Sequence, residues 1–357
     1  MRTNFVDYLL QYFEETVAET GACTENIRLA ERDIQFCFAG ERSKDLMRAF
    51  VRGNASPAAP ELRVMVWDGQ TPPRNHVLRA YLFTLTNWWH EYVGPRGHLL
   101  DVHGPEFDAV YVPGPDLLYV VDSRRNLAFC WKREPTPLPY WEVCSPFRPL
   151  LHCWMRSRGL QFVHAAAVGT PAGGVLMAGK GGSGKSSTAL ACLQTALRYL
   201  CDDYCVIGRS GEKDPGEDYV AHALYSTAKL VGQPDLERFP ALARHVWNPD
   251  REEDQKAAFF LQEHYPESFL DHFPLRAMLL PVVTGERDTG FAPCSASKAL
   301  AALAPSTLSQ LPASGADDLR FLGQLAKHVP AYELRLGTDI GQIPGVLREL
   351  ISLQAAE

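Results

Sequence analysis

The run Gly179-Lys180-Gly181-Gly182-Ser183-Gly184-Lys185-Ser186 puts a lysine and a hydroxyl directly behind a glycine-rich bend, a spacing suited to gripping a phosphate chain. Glycines let successive backbone N–H groups turn toward one anion. Lys185 would reach the β- and γ-phosphates of a nucleotide, and Ser186 would bind a magnesium ion. Lys180 would add positive charge to the loop, and Ser187 closes the segment expected to hold ATP. With glycine near 7% of average usage, the pattern arises by chance in about 1% of chains this long. The ordinary alternative is a glycine-rich turn with a surface lysine. The flanks argue against it: the apolar run 174–178 reads as a strand, and 187–196 as a helix whose N-terminal end adds to the anion site.

A phosphate loop needs an acidic partner for its metal at the end of a neighbouring strand, and Asp202-Asp203 lies in the strand-like run 198–207. Adjacent residues of a strand point to opposite faces, so one carboxylate would hold magnesium and the other take a proton from an incoming hydroxyl. A solvated acidic turn is the plain alternative. His164 sits in the apolar run 160–168, where a satisfied core histidine is the commoner outcome. Lys229 and Arg287 are two further cations that would offset charge on a transferring phosphoryl group, each with a solvated surface residue as its bland alternative.

These groups need a scaffold. The turn 169–174 is too short for a parallel crossover, so the strands it joins form an antiparallel hairpin. That is unlike the usual doubly wound nucleotide-binding sheet. Further strands are expected at 224–230, 279–283 and 332–336, and helices at 234–244, 298–303, 316–328 and 344–353, with 212–218 and 245–256 as loops. Earlier in the chain, 5–18 and 45–50 have helical spacing, and 26–29, 33–39, 62–67, 108–112, 117–121 and 127–131 read as strands. Residues 53–57 read as loop. The run 79–92 is ambiguous between helix and strand; its Trp88, Trp89 and Tyr92 are expected in the core. The proline-rich 135–139 marks a boundary before a helix at 141–158.

A chain of 357 residues suggests two domains, here an α+β domain over 1–140 and an α/β nucleotide-binding domain over 141–357. The net charge of −7 disfavours an open nucleic-acid surface. No run of about 18 apolar residues predicts a membrane span, and the acidic N-terminus does not read as a signal peptide. Nine scattered cysteines without CxxC pairs read as reduced thiols of a cytoplasmic protein; Cys201 and Cys205 make a poor zinc site on their own.

In the order Val163-His164, then Gly179–Ser186, then Leu200-Cys201-Asp202-Asp203-Tyr204, the chain resembles the bacterial HPr serine kinase/phosphorylase family from about residue 145 onward. The resemblance implies a P-loop domain with a mixed sheet related to phosphoenolpyruvate carboxykinase. It also implies that His164 and the aspartate pair line the reaction centre beside Lys185, with one aspartate acting as base toward a serine. Members usually carry Glu after the GKS; Ser187 stands there in this chain, which removes a carboxylate near the metal. The pattern is most similar to divergent members associated with peptide modification, which makes a peptide or small protein the expected acceptor. The N-terminal 140 residues would recognise that acceptor or make a homo-oligomer. Two other readings share the same loop: an ATP-binding accessory protein without phosphotransfer, and a small-molecule kinase.

Overall fold

The computed structural model describes residues 2–40, 44–51, 59–100, 104, 106–210 and 219–355; the loops expected at 53–57 and 212–218 lie outside the described residues. The chain divides into two compact units, one of Met1–Arg48, Arg52–Arg158 and Leu311–Ser314, the other of Ala49–Val51, Gly159–Gln310 and Gly315–Glu357.

The first unit runs α1 (Arg2–Thr20), β1 (Ala22–Leu29), β2 (Arg32–Ala39), β3 (Leu62–Asp68), α2 (Val77–Asn87), α3 (Trp89–Tyr92), β4 (Phe107–Val112), β5 (Leu117–Asp122), β6 (Leu127–Lys132), α4 (Tyr140–Cys144) and α5 (Arg148–Arg156). Its six strands are ordered β1-β2-β3-β6-β5-β4. Only β2–β3 and β3–β6 are parallel pairs. Leu117 to Val121 of β5 are all buried, which requires cover on both faces. Val6, Leu9 and Phe13 of α1 and Leu78, Leu82 and Leu85 of α2 pack on one core with Trp67, Phe129 and Trp131.

The expected helix at 141–158 is two helices, because Phe147 takes a left-handed φ of 57° and Pro149 opens the second. Both belong to the first unit, whose long segment Arg52–Arg158 extends past the boundary expected at 140. The run 79–92 is helical, and its aromatic residues are a correction: Trp88 is 53% exposed, and Trp89 and Tyr92 are exposed as well. The buried stripe of α2 would continue at position 89, but Trp88 ends the helix at φ −109° and takes the following turn out of line.

The second unit runs β7 (Gln161–His164), β8 (Ala166–Thr170), β9 (Gly173–Met177), α6 (Lys185–Ala191), β10 (Arg198–Cys201), β11 (Tyr204–Arg209), β12 (Tyr219–His222), β13 (Thr227–Leu230), α7 (Gly232–Glu237), α8 (Pro240–Ala243), β14 (Ala257–Phe260), β15 (His272–Val283), β16 (Gly290–Pro293), α9 (Ala296–Gln310), α10 (Ala316–His328), β17 (Ala331–Leu336) and α11 (Ile343–Ala355). The main sheet is mixed, with path β10-β8-β9-β15-β12-β11-β7. As the short turn required, β8 and β9 form an antiparallel hairpin, while β9 and β15 are parallel.

The long β15 makes this layout possible. Its first residues pair with β12 and its later ones with β9 and β17. The expected single strands 160–168 and 198–207 are each interrupted, at Ala165 and at Asp202-Asp203. The interruptions lie side by side, and Ala165 N–H donates to Asp203 O at 3.0 Å. The pairs on either side, Tyr204↔His164 and Cys201↔Ala167, share one register, which shifts farther along β10 between Cys201 and Tyr199. All nine cysteines are free thiols. Among the described residues, no helix is long and apolar enough to cross a membrane.

Candidate active site

The glycine-rich run leaves β9 and bends back into α6. Gly182 and Gly184 adopt φ of 76° and 100°, the left-handed region that glycine enters without steric cost. A Cβ on Gly184 would also clash with Leu336 Cδ1. Buried Ser183 Oγ has no hydrogen-bond partner among the described residues, so the cradle holds a polar atom for which an anion or water would be a partner. α6 has seven residues, shorter than the run 187–196, since the chain turns at Cys192. Lys185 is 7% exposed. Its Nζ donates to Gly179 O at 2.6 Å and Lys180 O at 3.1 Å. Burial pushes its ammonium below the ordinary lysine range, with Asp202 and Asp203 pulling the other way. Lys180 itself is exposed.

The aspartate pair departs from strand alternation. Asp203 has φ 76°, which breaks the pleat and brings both carboxylates to one residue, Lys229. Asp202, 2% exposed, accepts from Ser186 Oγ at 2.9 Å and Asp203 N–H at 3.1 Å through Oδ1, and from Lys229 N–H at 3.2 Å through Oδ2. Asp203 Oδ2 is paired with Lys229 Nζ, and its Oδ1 lies 3.5 Å from His164 Nε2.

The two environments push the carboxyls apart. Burial, and then the charge of Asp203, raise Asp202 above the ordinary carboxylate value, against Lys229 and the Ser186 bond. Burial acts the same way on Asp203, but the Lys229 ammonium and the His164 hydrogen bond overcome it and hold that group well below the ordinary value.

His164 ends β7, at the edge of the sheet. Its N–H, which has no strand to pair with, donates to Thr307 Oγ1 of α9 at 3.1 Å. Its ring stands 5.5 Å from that of Tyr204, and Nδ1 has no hydrogen-bond partner among the described residues.

The opposite wall is the two-stranded ribbon β13–β14, registered Lys229↔Ala258 and Leu230↔Ala257. His164, Gly181, Gly182, Gly184, Lys185, Ser186, Ser187, Asp203 and Lys229 line one pocket, joined by Asp235, Arg238 and Lys256. Its volume is about 140 Å³, below the roughly 300–1,000 Å³ of a site that encloses a drug-sized ligand. Lys229 is thus a buried pocket residue. Arg287 is not: it is exposed and does not line the pocket, because the turn after β15 carries it outward, and this corrects the sequence expectation. Lys256, Arg238 and Thr307 were missed. No motif marks them, and only folding brings them to the loop.

No cluster of three or more His, Cys, Asp or Glu side chains is placed to bind a metal among the described residues. Magnesium needs fewer, taking one or two carboxylates with substrate phosphates and water. Ser186 Oγ donates to Asp202 Oδ1 at 2.9 Å, so a hydroxyl and a carboxylate oxygen stand together beside the loop, donor types that magnesium takes alongside phosphate and water. The donor set therefore fits magnesium bound together with phosphate.

No protein-family model matches the chain, and no curated protein matches it. Among solved structures, that of the Hpr(Ser) kinase/phosphatase from Coxiella burnetii is similar with a TM-score of 0.30 and 9% sequence identity, over 55% of this chain and 97% of that one. The chemistry below is argued from the site itself.

Proposed function

We propose that this protein is an ATP- and magnesium-dependent kinase that phosphorylates a hydroxyl, with a serine of a peptide or small protein as acceptor. One observation carries the reading: two adjacent carboxylates face a phosphate-binding loop with different partners, Asp202 on Ser186 and Asp203 on Lys229 and His164. Magnesium, when bound, would supply positive charge against the charge that develops on the phosphates. Ser186 and Asp202 would hold it.

Asp203 lines the pocket and is ionised at neutral pH, so it accepts a hydrogen bond from the acceptor hydroxyl and orients it. The acceptor oxygen forms its bond to the γ-phosphorus while the bond to the β–γ bridging oxygen breaks, and the hydroxyl proton passes to Asp203. A carboxylate of such low basicity suffices, because a loose transition state leaves the nucleophile little changed until late. Lys185 and Lys229 offset charge on the moving group, and His164 fixes the Asp203 carboxylate. The first unit is assigned acceptor recognition or self-association.

Candidate peptides, small proteins and small hydroxyl compounds are incubated with ATP and magnesium, and products are read by mass spectrometry. A phosphoserine product that disappears with Lys185→Ala supports the proposal. ATP binding with no phosphorylated product favours the accessory role, and product on small molecules alone favours a small-molecule kinase.

A further inference from the structure

Lys256 stands one residue before β14. In the ribbon, Lys229 lies opposite Ala258, and strand alternation puts position 256 on the face that carries 258 and therefore 229. Lys229 and Lys256 are thus diagonal neighbours, a relation that separates them by about 7–8 Å. Both side chains line the pocket with Lys185. The backbone on either side of Ala257 is held by one side chain: Asn248 Nδ2 donates to Lys256 O at 3.0 Å, and Asn248 Oδ1 accepts from Ala258 N–H at 2.9 Å.

The three lysines differ in what already satisfies them. Lys185 Nζ is bonded to two loop carbonyls and Lys229 Nζ to Asp203. The Lys256 ammonium has no hydrogen bond or ion pair among the described residues, and its charge is felt at Lys185. Four cations, Lys185, Lys229, Arg238 and Lys256, line the pocket against two carboxylates, Asp203 and Asp235, so positive charge is in excess there and favours an added anion. We infer that Lys256 binds the terminal phosphate of the nucleotide, so that the pocket distinguishes a nucleoside triphosphate from a diphosphate. The inference rests on the kinase reading and deepens it by assigning the γ-phosphate its own ligand on the ribbon.

The test is calorimetric and needs no turnover. ADP and a non-hydrolysable ATP analogue are titrated, with magnesium, into the full chain and its Lys256→Ala, Lys256→Gln and Lys256→Arg variants. Losing a charge-assisted contact to phosphate should cost the Ala and Gln variants about 10- to 100-fold in affinity for the ATP analogue. Affinity for ADP should change about twofold at most, and Arg should retain most of the preference. Equal losses for both nucleotides, or no loss for either, overturn the assignment while leaving the kinase reading in place. A parent protein that binds neither nucleotide overturns both.

Discussion

Replacing Lys229 with methionine removes an ammonium that is 7% exposed and leaves His164 as the close ionic partner of the Asp203 carboxylate among the described residues. Opposite charges near 4 Å attract by about 4 kcal/mol at an effective dielectric near 20. Breaking a buried pair from one side costs about 3–5 kcal/mol. Because Asp203 is partly open to the pocket, water relieves some of that penalty, and a coupling near 3 kcal/mol is expected.

The assay is a double-mutant cycle of Lys229→Met, Asp203→Asn and the double variant by urea unfolding, which separates the pair term from the single losses. The pH dependence supplies a second check. The folded-state pKa of Asp203 is depressed below 3.8. Its stabilisation is therefore fully present above that value and lost as pH falls through the folded pKa. The deficit of Lys229→Met should be full at neutral pH and shrink on acidification below about pH 4. A coupling below about 1 kcal/mol, or a deficit that stays constant on acidification, would refute the view of Asp203 as a carboxylate held ionised by Lys229.

Two further outcomes follow from the loop and its acidic partner. Asp202→Asn should raise the magnesium concentration for half-maximal nucleotide binding by about tenfold or more. Its melting temperature should fall as well, since both Asp202 oxygens accept hydrogen bonds and the amide nitrogen would face a donor in place of one acceptor; an unchanged magnesium requirement would sink the metal assignment. Gly184→Ala places a methyl against Leu336 at a φ of 100° and should lower unfolding stability by about 1–3 kcal/mol, seen as an earlier urea midpoint.

Much of the local layout was readable in the chain. The loop motif, the short 169–174 turn and the strand on each side of it are neighbours in sequence, so their antiparallel pairing follows from chain length alone. Distant or kinked features were not readable. Alternation predicted diverging carboxylates, and a left-handed Asp203 turned both toward Lys229. Trp88, Trp89 and Tyr92 have the composition of core, but the end of α2 at Trp88 left them exposed.

By itself, then, the sequence determined the glycine-rich loop, its hairpin and the identity of Lys185, Ser186 and the aspartates, because those depend on backbone chemistry within a few residues. Tertiary structure alone decided which cations face them: Lys229 and Lys256 from a separate ribbon enter the pocket, while Arg287 stays outside. The physical reason is that charge acts through space, and separation along the chain says little about distance between side chains once β15 has drawn remote strands into one sheet.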